Sequence, residues 1–196
     1  MYCSDGIADF DHPRSGIESI VDKMAFPSCG NPPELDMQRY LTELSIRCLL
    51  NRVHHSLYFT NNVSENQGRS PSERHQAVSI QQPLSSSLGR VCTELERQLK
   101  DWYAALPDGL RPDLTQTRGV PGDLHACLLR LRYWSARFII YQPFMIYAIS
   151  ISAEVGISEI VLEKCEACVS SCRSFLYAAL DLLSAISPYT YAVTQW

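Results

Sequence analysis

The feature that most constrains this chain is the spacing of its apolar side chains. They recur every three or four positions in four separate stretches, and no sustained strand-like alternation appears between them. The first stretch starts near Glu34, where Asn31 and Glu34 have capping-box spacing, and its stripe runs through Met37, Tyr40, Leu41, Leu44 and Cys48 toward Val53, Leu57 and Tyr58. The second runs from about Leu88 to Leu106 on Val91, Cys92, Leu95, Leu99, Trp102 and Tyr103, and the breaker Leu106-Pro107-Asp108-Gly109 stops it. The third takes Asp123 as N-cap and places Leu124, Cys127, Leu128, Leu131, Trp134, Phe138 and Tyr141 on one stripe. Pro143 lies inside it and cannot bond the Ile139 carbonyl, which predicts a kink near Tyr141-Gln142 with helix resuming through Ile149. The fourth begins near Ser158, with Ile157 and Leu162 at staple spacing. Its expected buried side is Val161, Cys165, Cys168, Val169, Cys172, Leu176, Ala179, Leu183 and Ile186. The fold class is therefore all-α, an irregular multi-helix bundle.

Composition sets the organisation around these helices. Residues 1–33 are rich in Asp, Gly, Pro and Ser and read as an irregular segment ahead of a helical region, 34–196. Within that region the polar run 60–87 reads as a flexible insert, because it has few apolar anchors to offset its ordering entropy. From Leu182 onward the sequence carries no charge and ends through Tyr189, Tyr191 and Trp196. That pattern predicts a domain incomplete at its C-terminus, with hydrophobic surface exposed around the fourth helix. A net charge of −4 over 196 residues argues against a free-standing nucleic-acid binder. No uncharged apolar run is long enough to span a bilayer, and no basic, apolar leader opens the chain, so no membrane partner is expected and the eight cysteines are expected to stay reduced.

The residues that can carry chemistry are few. Cys165, Cys168 and Cys172 have the spacing that opens some metal sites, yet on one helix they share a face, where cysteine packs as a small hydrophobe. His54 and His55 are adjacent, about 100° apart around a helix, and do not form a shared site. Arg130, Arg132 and Arg137 read as a solvated face, with a grip on an acidic partner as the sharper alternative. No phosphate loop, nucleophile elbow or zinc helix is present. No catalytic, cofactor-binding or metal-binding residue is assigned, and the chain is read as not an enzyme. Trp102, Tyr133, Trp134, Phe138 and Tyr141 are the residues that could wall a small-molecule pocket; the plainer reading makes them core.

Three stretches together resemble a known family: Tyr40 to Tyr58, Leu95 to Pro107 with Leu110-Arg111-Pro112-Asp113 after it, and Leu129 to Phe144. A Trp-bearing helix ending in Leu-Pro, followed by a Leu-Arg-x-Arg-Tyr helix ending in a Pro-Phe step, is similar to the middle homology regulatory region of fungal zinc-cluster transcription factors. Gln142 stands where that family commonly has Arg, and the six-cysteine cluster that would hold zinc and read DNA is absent from this sequence. The resemblance implies a nuclear, helical regulatory region that acts in RNA polymerase II transcription. Its implied partners are the transcriptional machinery or co-regulators, a small-molecule effector and a second copy in a dimer. The zinc would belong to the missing cluster, so no cofactor and no direct DNA contact are expected here. The alternatives are a helical interaction scaffold with no transcriptional role, or an α-helical enzyme without a recognisable site.

Purified chain is therefore expected to hold no stoichiometric zinc and to shift no DNA selectively, because it lacks a clustered thiolate site and a basic face. Elemental analysis and a mobility-shift assay across salt concentrations check both.

Overall fold

The computed structural model describes residues 25, 34–59, 86–115, 123–151 and 156–185. The described residues form α1 (Leu35–His54), a π-helical turn (His55–Phe59), α2 (Ser86–Ala104), α3 (Leu124–Ser150) and α4 (Glu159–Ala185), with no strand among them. The fold is all-α, as the periodicity requires. Among the described residues no helix is long and apolar enough to cross a membrane. The expected irregular segment 1–33, apart from residue 25, and the insert through residue 85 lie outside the described residues, as do Ile186 and the residues after it. The last two positions of the expected insert, Ser86 and Ser87, belong to the first turn of α2.

The long helix α3 is the centre. It packs against α1, α2 and α4, and α4 lies along it. Leu129, Ala136, Ile140, Tyr141 and Phe144 of α3 are buried with Ile46, Leu49 and Val53 of α1, Cys92, Leu95 and Leu99 of α2, and Val161 and Cys168 of α4. Asp123 caps α3 as expected, its carboxylate accepting from the His125 amide at 3.0 Å. The helix runs through Pro143 to Ser150 without a break in its assignment. At the start of α1, Glu34 is the N-cap residue and makes no side-chain capping bond, while Asn31 lies outside the described residues. The α2 C-terminus is finished by the loop that follows. Arg111 donates to the Ala104 and Leu106 carbonyls at 3.0 and 2.8 Å, and Tyr103 donates to the Pro112 carbonyl at 2.8 Å. Leu106, Leu110 and Pro112 are buried beneath it.

The sequence stripe of α2 is the one that packs. On the other three helices the expected stripe is buried only in part, including Val53, Leu57, Cys127, Tyr141, Val161 and Cys168. On α1 the buried positions are Thr42, Ile46, Leu49 and Val53, while Tyr40 is 44 % exposed. Thr42 can face inward because its hydroxyl donates to the Gln38 carbonyl at 2.8 Å. On α3 the expected stripe residues Leu128, Leu131, Trp134 and Phe138 are only half-buried, and Leu129, Tyr133, Ala136 and Ile140 take the interior. A helix enclosed by three neighbours buries several faces, so no single stripe describes it. On α4 the expected buried side divides: Val161 and Cys168 are buried, whereas Val169, Leu176 and Leu183 are 47, 55 and 58 % exposed, and Ala178 rather than the expected Ala179 is buried. Leu162, expected to staple to Ile157, is 48 % exposed.

Enclosure of α3 also determines what happens to its arginines. Arg130 is 5 % exposed, and its guanidinium meets Asp181 of α4 at 2.5 Å. Arg132 reaches Glu43 of α1 at 2.9 Å, where Arg47 also binds at 3.2 Å. Arg137 lies over the Trp134 and Tyr141 rings and donates to Ser171 at 3.1 Å. The expected solvated face is instead a set of internal ties. Arg130→Met is expected to cost about 3–5 kcal/mol, because it removes the cation that meets the buried Asp181 carboxylate. The double variant Arg130→Met with Asp181→Leu should recover most of that loss. Urea unfolding of the three proteins measures the difference.

Candidate functional site

Of the five aromatic residues named as a pocket wall, Trp102 lies on α2 and Tyr133, Trp134, Phe138 and Tyr141 lie on α3. Trp102 is half-buried on α2, and its indole N–H donates to the Ser45 hydroxyl at 2.8 Å. Tyr133 is buried with its ring 5.5 Å from Tyr103 and 5.3 Å from Trp134, the latter pair edge to face. Trp134 is half-buried beneath the Arg137 guanidinium. Tyr141 is 2 % exposed, with the Arg137 and Lys164 cations 5.5 and 5.4 Å from its ring. Phe138 lines a shallow groove of about 350 Å³ between α3 and α4. Met145 of α3 and Cys168, Val169, Cys172 and Leu176 of α4 complete its apolar wall, and Arg173 stands at its edge.

The polar groups that the structure does bring together sit where α2, α3, α4 and the π turn meet. Glu96 comes from α2, Tyr141 and Gln142 from α3, Lys164 from α4 and Tyr58 from the turn. The Tyr58 hydroxyl donates to Gln142 Oε1 at 2.6 Å. A π turn adds a residue to the helical repeat and re-aims the side chains after it, which brings Tyr58 onto α3. Burial, helped by the nearby Cys92 and Cys168 thiols, holds the Tyr58 hydroxyl well above its ordinary pKa. Tyr141 is raised in the same way, first by burial and then by its hydrogen bond to the Glu96 carboxylate. Burial alone would raise Glu96. Bonds from Tyr141 and Lys100, with the charges of Lys100 and Lys164, outweigh it and carry the carboxyl below the usual range.

These shifts determine what the cluster can do. Both phenols stay protonated and act as hydrogen-bond donors. Burial pushes the Cys92 and Cys168 thiols up to about 11, so neither supplies a thiolate near neutral pH. The Cys168 thiol donates weakly to the Phe138 carbonyl at 3.8 Å. Cys165 and Cys172 are half-buried on the same helix, and among the described residues no group of three or more His, Cys, Asp or Glu is placed to hold a metal ion. His54 stacks obliquely on Tyr58, their ring centres 6.0 Å apart. His125 Nε2 lies 3.2 Å from the Arg39 carbonyl. The sequence reading missed the Glu96–Tyr141–Lys164 contact. Its three members come from three helices, and no spacing along the chain links them.

No family model, curated protein or solved structure matches this chain.

The raised thiols set a pH dependence. A group whose folded pKa lies above its unfolded value favours folding while protonated. Stability from Cys92 and Cys168 is therefore intact below 9.0 and is lost as the pH rises through about 11. The urea midpoint is expected to fall over that interval, and the fall should be shallower in Cys92→Ala. A midpoint that stays flat up to pH 11 would contradict the burial of these thiols.

Proposed function

We propose that this chain is the helical regulatory region of a fungal zinc-cluster transcription factor, a nuclear protein that acts on RNA polymerase II transcription through co-regulators. One observation carries the reading: the three stretches that resemble the family are tied to one another by side chains from within those stretches. Glu43 and Ser45 of the first receive Arg132 of the third and Trp102 of the second, at 2.9 and 2.8 Å. Tyr58 of the first donates to Gln142 of the third at 2.6 Å.

The Gln142 contact gives a reason for the departure from the family pattern. A carboxamide oxygen at this position accepts the Tyr58 hydroxyl, whereas an arginine has no acceptor to offer. The filled aromatic core and the protonated phenols and thiols favour a module that acts by binding over one that turns over a substrate.

The test is to fuse the full chain to a heterologous DNA-binding domain and to measure a reporter in a fungal nucleus. A several-fold change in transcription against the DNA-binding domain alone is expected, in either direction. A fusion that reaches the nucleus, occupies its site and leaves the reporter unchanged would overturn the reading. The genomic sequence ahead of Met1 gives an independent check, since an in-frame, basic, cysteine-rich segment is expected there.

A further inference from the structure

Helix α4 has more apolar surface than α3 can cover. Its outward side chains Leu162, Val169, Leu176 and Leu183 are each about half exposed and stand seven residues apart. A straight α-helix drifts by about 20° per heptad against such a repeat, so a strict interval of seven is a line suited to a second helix wound along it. The positions three residues further on are Cys165, Cys172 and Ala179, all half-buried and all small. Small side chains beside a row of large ones let a facing backbone come close and leave holes for its knobs. The α3–α4 groove opens on the same row, because Val169, Cys172 and Leu176 belong to both.

Charge selects which helix fits. Glu166 and Arg173 are exposed and stand at equivalent heptad positions on one flank of the row. A parallel copy of α4 would set Glu166 beside Val161 of the other copy and Arg173 beside Cys168, side chains that offer no charge. An antiparallel copy, with its twofold axis between residues 170 and 171, faces Leu162 with Ala179, Cys165 with Leu176 and Val169 with Cys172. The same arrangement brings Glu166 of each copy toward Arg173 of the other, twice over, and sets Leu183 near Ile160, which is 68 % exposed. The face is thus complementary to itself in shape and in charge, as a twofold interface must be.

We propose that α4 is a dimerisation helix, which pairs antiparallel with α4 of a second copy of this chain through Leu162, Val169, Leu176 and Leu183. The pairing does not rest on the transcriptional reading, and the two can fail separately. Analytical ultracentrifugation of the full chain over a range of micromolar concentrations reads it directly. A dimer is expected. Leu176→Glu changes a side chain on the exposed row, so it should give a monomer whose circular dichroism is unchanged. Glu166→Arg and Arg173→Glu, made singly, should each weaken the dimer by roughly tenfold. The double variant Glu166→Arg with Arg173→Glu should restore it, because both cross-pairs are re-formed with the signs exchanged. A monomer at every concentration overturns the proposal, whether another segment of the chain covers the row or a vesicle surface takes it up. A dimer that survives Leu176→Glu overturns it as well. Failure of the double variant to recover overturns the antiparallel register.

Discussion

The enclosure of α3 governs the rest of this structure. A helix with neighbours on three sides must bury most of its circumference, and this one carries Arg130, Arg132 and Arg137 along its length. A guanidinium cannot lose its charge, so each one taken out of water needs a partner already in place. Asp181, Glu43 and Ser171 supply those partners from helices on different sides. The packing is fixed in turn: α4 must present Asp181 and Ser171 toward α3, and α1 must present Glu43. The aliphatic core supplies the driving force, while the arginines select one rotation of each neighbouring helix over others that would bury similar apolar area.

That selection explains how the sequence could be read correctly for type and only in part for phase. The helices themselves were legible, since the 3.6-residue repeat, the Asp123 cap and the Leu106-Pro107-Asp108-Gly109 stop are local signals. On α2 the apolar residues lie on one side and charged residues such as Arg97 and Lys100 on the other, so stripe and core coincide. On α1 and α3 apolar residues ring the helix, and the interior side is decided by polar partners distant in sequence. Thr42 and Arg130 were unlikely core positions on composition alone. Each has a polar partner inside the fold, the Gln38 carbonyl for Thr42 and the Asp181 carboxylate for Arg130. The polar contacts of the five-residue aromatic set were not legible in the sequence. Trp102 and Tyr141 spend their polar ends on Ser45 and Glu96, contacts that only the folded chain creates.

Helix α4 failed expectation in a more informative way. Its apolar residues were assigned to a buried side because hydrophobic spacing does not state what covers it. Two overlapping patterns run along this helix. Val161, Cys168 and Ala178 meet α3, and the heptad series from Leu162 to Leu183 points elsewhere. A sequence window sees their union as one broad stripe. Only the placement of α3 separates the side that holds this chain together from the side that remains exposed.

That division bears on function. Much of the polar interior is matched: its phenols are held protonated, its thiols are raised, and Arg130, Arg132 and Arg137 meet carboxylates or rings, while Arg39 Nε, Glu43 Oε2 and His125 Nδ1 are buried with no hydrogen-bond partner. Groups so matched have little further interaction free energy to give to a ligand. The exposed leucines of α4 do, since covering each contributes about 1.5–3 kcal/mol at full burial. Four such residues in a row outweigh any single polar contact on the described surface. A partner that recognises this chain therefore gains most by lying along α4. Because Asp181 and Ser171 tie the opposite side of α4 to Arg130 and Arg137 of α3, a shift of α4 on binding would strain two buried ties at the centre of the fold. The outer face and the contacts with α3 belong to one helix, so a partner that displaces α4 acts on both.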